Sequence, residues 1–298
     1  MNIHLENVNL QSTSGPNHFA NKLIKYLKKK EITFNERQIP DVRLCFIESH
    51  RAQFDDVPLI QRLDGIYFNS AQNYELQNTN IKRTYDNALG VIFQSAFNKN
   101  LITKYFGEHK NSTIIHNGAD VEFIESIEPM QAKVLDRYEK VWSCASSWRP
   151  HKRLEENIRY FFEHSSEKDC MVVAGSVKDK PYKDTRLFYV QDLDIKQLTS
   201  LYKRSFYFVH LAWLDHCPNV VVDARASGCQ IVCSSAGGTK EVAGLDATII
   251  DEGKWNYEPV RLYEPPQLNF NKKINNDHNI DYNMNVVSEK YKEFLIKV

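Results

Sequence analysis

Short apolar blocks of about strand length alternate with longer amphipathic stretches along most of this 298-residue chain. The blocks at 42–47, 58–63, 90–94 and 112–116 are nearly continuous in apolar character, and so are those at 141–145, 170–174, 187–190, 206–210 and 230–234. Strands that bury both faces read this way, and parallel sheets covered by helices on both sides bury both faces. The intervening stretches suit the covering helices. The one opened by the turn Ser14-Gly15-Pro16-Asn17 puts Phe19, Leu23, Ile24 and Leu27 on a single face. Further helices are expected at 81–87, 96–106, 154–163, 195–203 and 220–227, after Gly238, and at 286–298. A polar, acidic stretch at 120–138 with Pro129 separates two such series. The pattern predicts an α/β protein of two domains, residues 1–123 and 124–298, with 254–285 as extended surface chain.

Lysine plus arginine and aspartate plus glutamate both number 38, so the chain as a whole offers no electrostatic footprint for nucleic acid or membrane. Lys25, Lys28, Lys29 and Lys30 leave room for a local basic patch. No run of about 18 apolar residues exists, so no transmembrane helix is expected. The N-terminus lacks the basic and apolar regions of a secretory signal. Six cysteines without a CxxC, mostly within apolar runs, read as reduced and buried, and a cytoplasmic location is expected.

Candidate chemistry gathers where strands end. In open α/β sheets, ligands bind outside the carboxyl ends of the strands. Asp215 follows the run FYFVHLAWL, and Asp223 lies eight positions on, inside the apolar sequence VVVDARA. Paired carboxylates at such points can accept charge-assisted hydrogen bonds from sugar hydroxyls. The plainer alternatives are that Asp215 caps the next helix and that Asp223 pairs with Arg225 or Arg149. Gly237 and Gly238 lie between a strand and a helix start, where backbone N–H groups can approach phosphate oxygens. Arg149 and Lys152 lie after another strand and could supply positive charge to a diphosphate leaving group, or form a solvated turn. Asp192 and Asp194 form a DxD, but Asp194 with Gln197 makes a helix capping box, so no metal site is assigned. A GxGxxG fingerprint is missing.

Taken together, these segments resemble the large retaining family 4 of GT-B glycosyltransferases (glycosyl transferases group 1). Its E-x7-E appears here as Asp215 and Asp223. Its GGxxE appears as Gly237-Gly238-Thr239-Lys240-Glu241, and its NGxD as Asn117-Gly118-Ala119-Asp120. The likeness is strong from about His116 to Gly244. It implies two Rossmann-like domains with parallel sheets facing across a cleft, and a terminal helix at 286–298 that packs back on the N-terminal domain. It implies a retaining, metal-independent transfer of a sugar from a nucleotide-sugar to a hydroxyl acceptor, with no cofactor. Asp215 and the backbone of His216, Cys217, Pro218 and Asn219 would hold the donor sugar, and Asp223 the ribose. Lys152 and Arg149 would neutralise the diphosphate, helped by backbone near Gly15 and Gly238. The base would rest against Val190–Leu193, and Asn117 and Glu241 would complete the donor site.

Two departures from the family pattern stand out. Both glutamates are aspartates, and Ser147 occupies the place where many members carry the arginine, five residues before Lys152. Asp64, in Arg62-Leu63-Asp64-Gly65, could orient an acceptor hydroxyl or form an ordinary turn. Rival readings are a GT-B sugar-nucleotide epimerase or hydrolase and a binding subunit without turnover. Donor base, sugar and acceptor are not set by these residues, and peripheral contact with a membrane or partner protein and a nucleic-acid acceptor stay open.

Overall fold

The computed structural model describes residues 1–12, 14–50, 54 and 56–298. The chain forms two compact units. Unit one comprises Met1–Ala119, Asn256–Val260 and Asp281–Val298, and unit two comprises Asp120–Trp255 and Arg261–Ile280. The chain thus leaves the first unit four residues before the 123/124 boundary expected from sequence. The stretch 254–285 is also divided, with Asn256–Val260 contributing to unit one.

Among the described residues, unit one has a five-stranded sheet in the order β1-β2-β3-β4-β5. The strands are β1 (Ile3–Glu6), β2 (Val42–Phe46), β3 (Leu59–Leu63), β4 (Gly90–Phe93) and β5 (Ser112–Ile114), all paired in parallel. Helices α1 (Gly15–Lys28), α2 (Tyr74–Asn87) and α3 (Ala96–Phe106) connect them. The half-polar first strand, Ile-His-Leu-Glu, lacks the apolar block that marks the others and is missed by the sequence pattern. Its core joins Ile3, Phe19, Leu23 and Phe46 to Met284, Val287, Tyr291 and Leu295 from the terminal helix.

Unit two carries α4 (Val121–Glu125), β6 (Lys140–Ala145), α5 (Leu154–His164), β7 (Asp169–Ala174), β8 (Leu187–Val190), α6 (Ile195–Arg204), β9 (Tyr207–His210), α7 (Asn219–Ala226), β10 (Gln230–Ser234), α8 (Thr239–Ala243), β11 (Thr248–Ile250) and β12 (Lys273–Ile274). Its described strands run in the order β12-β11-β10-β9-β6-β7-β8, parallel except for β12. The terminal helix α9 (Met284–Lys297) belongs to unit one.

All six cysteines are buried and none forms a disulfide. Among the described residues, no helix is long and apolar enough to cross a membrane.

Candidate functional site

Strand order in unit two reverses between β6 and β9. β7 and β8 add on one side of β6, while β9, β10 and β11 extend on the other. Loops leaving two such neighbouring strands diverge to opposite faces of the sheet and leave a crevice at their carboxyl ends. Lys152 lies in the loop after β6 and Asp215 in the loop after β9.

The two loops meet through one carboxylate. Lys152 Nζ lies 2.5 Å from Asp215 Oδ2, and His210 Nε2 donates to the same oxygen at 2.9 Å. The backbone N–H of His216 donates to Oδ1 at 3.0 Å. A carboxylate offers about four lone-pair sites, so most of its capacity is already committed within the protein. Asp215 does not cap α7, whose N-cap is Pro218 without a side-chain bond. Each key side chain adjoins a non-glycine residue in the left-handed region: Arg153 (φ 52°) follows Lys152, and Leu214 (φ 56°) precedes Asp215. Such backbone persists only where surrounding structure over-determines it, and it clusters at functional sites.

The electrostatics follow from this geometry. Burial alone would raise the Asp215 carboxyl, but the Lys152 ammonium and His210 outweigh it and hold it well below the usual carboxylate range. Burial lowers His210 despite the pull of Asp215. His151 and His216 are each pushed down to about 4, chiefly by burial. The neighbourhood therefore holds neutral imidazoles around one ammonium–carboxylate pair at neutral pH.

A second ion pair braces these loops from behind, and sequence reasoning missed it. The Arg153 guanidinium is buried and grips Glu252 with two bonds of 2.8 and 2.6 Å. It also donates to the carbonyls of Leu211 and Pro266, and Ser234 donates its hydroxyl to Glu252. One buried pair thus joins the loops that follow β6, β9 and β11 to the end of β10. His210 and Glu252 do carry a sequence signal, since each stands at the carboxyl end of an apolar block, the position by which Asp215 is recognised.

The glycine pair has a structural reason for its place. Gly237 (φ +105°) bridges Asp215 in parallel fashion, and a Cβ there would come within 2.6 Å of the Asp215 carbonyl oxygen. The Gly238 N–H donates to that carbonyl at 2.7 Å. The Gly238 amide thus fastens the loop that carries Asp215.

Asp223 is buried on α7 and Glu241 on α8. Cys217 and Pro218 are buried ahead of Asn219, which begins α7. Arg149 is exposed, Val190 ends β8, and Leu193 is half-buried in the loop after it. Asp192 accepts from the backbone and hydroxyl of Ser176, and Asp194 forms the capping box of α6 with Gln197.

Gly15, Asp64 and Asn117 belong to unit one. Gly15 is exposed at the start of α1. Asp64 follows β3 and receives a bond from buried Arg62. Burial pushes its carboxyl up, against the pull of Arg62. Asn117 is expected at the donor site but is buried, accepting from Arg62 at 2.7 Å and donating to Gln94 at 3.1 Å. The rest of its motif has partners within the chain as well. A Cβ on Gly118 would come within 2.7 Å of Met284 Sδ, Ala119 bonds the backbone of Tyr282 and Met284, and Asp120 caps α4.

No family model matches the sequence, and no curated protein matches it. Solved structures are similar across the whole chain. HepE of Anabaena in complex with UDP-glucose is 12% identical with a TM-score of 0.69, covering 100% of both chains. The fold is GT-B. AviGT4, a glycosyltransferase involved in avilamycin A biosynthesis, is 12% identical with a TM-score of 0.64, over 99% of this chain and 97% of that one. Sucrose-phosphate synthase of Thermosynechococcus elongatus is 10% identical with a TM-score of 0.62, over 99% of this chain and 96% of that one.

Proposed function

We propose that this GT-B protein transfers a sugar from a nucleotide-sugar to a hydroxyl acceptor, with retention and without a metal, in the manner of the family 4 enzymes it resembles. The observation that carries this reading is the Lys152–Asp215 contact at the strand-order reversal of unit two. The similar HepE structure holds UDP-glucose, which supports a nucleotide-sugar as the ligand.

Lys152 and Arg149 would stabilise the negative charge that builds on the diphosphate as the sugar C1–O bond breaks, the main service such a site can render. The acceptor oxygen would form the new bond to C1, and its proton would pass to the leaving phosphate oxygen. Asp215 holds Lys152 in place, with residual acceptor capacity for a sugar hydroxyl. Asp223 would take the ribose hydroxyls. The shorter aspartate reaches Lys152 and His210 directly, so this clamp is organised first around the cation.

A thermal-shift panel of UDP-, ADP- and GDP-sugars, with and without EDTA, tests the reading by mass action. Stabilisation by one nucleotide-sugar that survives EDTA is expected, together with release of its nucleotide. A new isomer of the donor sugar would favour an epimerase, and binding without turnover a binding subunit. A requirement for Mg²⁺ or Mn²⁺ would overturn metal independence.

A further inference from the structure

Arg62 in β3 is fully buried, its guanidinium between the rings of Phe19 (4.2 Å) and Phe46 (4.9 Å). Each arm has its own partner. Nε donates to the Tyr291 hydroxyl at 2.9 Å, one terminal nitrogen donates to Asn117 Oδ1 at 2.7 Å, and the other donates to Asp64 Oδ1. A charge this deep has to be partnered. The unusual member is the carboxylate. In unit two, Glu252 meets Arg153 with both oxygens. Asp64 meets Arg62 with one, and its Oδ2 is buried without a protein partner.

The side chains that share Arg62 account for this. Arginine and carboxylate readily pair fork to fork. Asn117 occupies the terminal nitrogen that would complete such a pair, and the Tyr291 hydroxyl fixes the rotation of the guanidinium. An unmatched carboxylate oxygen in a dry setting costs free energy, so a purely structural pair would use it. Asp64 directly follows β3, at the end of the parallel sheet where ligands bind.

We infer that Tyr291 and Asn117 are positioning residues that hold Arg62 to a single contact with Asp64, leaving Asp64 Oδ2 to orient the acceptor by accepting a hydrogen bond from a hydrogen other than the one that passes to the leaving phosphate. This rests on the proposed sugar transfer. It gives the terminal helix, which carries Tyr291, a part in acceptor use, and it gives Asn117 a role away from the nucleotide.

The test uses the full chain with UDP-, ADP- and GDP-glucose as donors, and water or methyl α-glucopyranoside as acceptor probes. Asp64→Asn, Tyr291→Phe and Asn117→Leu are each expected to lower kcat/KM for the acceptor about tenfold, with donor KM unchanged. Adding Tyr291→Phe to Asp64→Asn is expected to cost nothing more, the signature of residues acting as one unit. Wild-type acceptor kinetics in folded Tyr291→Phe and Asn117→Leu, or effects that multiply independently of Asp64, would overturn the inference alone. A wild-type protein that neither binds nor consumes any of the three donors would overturn the proposed function, and this inference with it.

Discussion

Lys152 and Asp215 stand 63 positions apart in sequence, yet Nζ and Oδ2 lie 2.5 Å from each other, joining the loops of two neighbouring parallel strands. The pair sets the charge of the candidate site: one ammonium fixed by one carboxylate, among imidazoles that burial keeps neutral. Replacing Lys152 with Ala is expected to lower kcat/KM for sugar transfer about 100- to 1,000-fold, the scale seen when a charge-stabilising donor is removed. Asp215→Ala is expected to match it, because the lysine then loses its anchor. Steady-state nucleotide release on variants of unchanged circular dichroism checks both.

Breaking the brace behind the site is expected to act on stability first. Arg153→Met leaves Glu252 buried and unpaired, and Glu252→Gln leaves the guanidinium in that state. Side-chain exposures of 1% and 6% put the expected cost at about 3–5 kcal/mol. Urea unfolding of each variant without ligand measures it. An unchanged midpoint would show that the two charges are not the joint of these loops.

Gly237→Ala should displace Asp215. The new Cβ would press on the Asp215 carbonyl oxygen from 2.6 Å, at a φ of +105° that L-residues rarely adopt. A loss of about 1–3 kcal/mol is expected from backbone strain alone, with weaker nucleotide-sugar binding by calorimetry. Gly228→Ala is the control, since it has a similar φ of +96° and open space around it. It should share the strain without the loss of binding.

Acid should loosen the protein through the imidazoles of His151 and His216. His151 and His216 have folded pKa values of about 4, below the unfolded value of about 6.5. As pH falls below the unfolded value, the unfolded chain takes up protons that the folded chain refuses. The contribution of these imidazoles is therefore fully present above that value and is lost as pH falls towards 4. For His216 alone the linkage is on the order of 3 kcal/mol. Unfolding midpoints from pH 7 to pH 4 should drop steeply in the wild type and less steeply in His216→Gln.

The α/β class and most strands were legible, because continuous apolar blocks follow directly from burial on both faces. Leu187–Val190 and Gln230–Ser234 are bounded as the pattern predicts. β1, half-polar, carries no such block and was not. Asp215 and Lys152 were legible as members of one site because both stand at carboxyl ends of strands, a position that sequence order reveals. Their direct contact was not, since a spacing of 63 residues says nothing about which carboxylate reaches which amine.

By itself, the sequence determined the alternation of strands and helices, and with it which loops emerge at the functional end of each sheet. Local period and composition are enough for that. The tertiary structure alone decided partnership. Gly238 spends its amide on Asp215, Asn117 is drawn onto Arg62, and Arg153 meets Glu252. A buried polar group takes whatever partner folding brings within about 3 Å, and that depends on packing across the whole chain rather than on its neighbours in sequence.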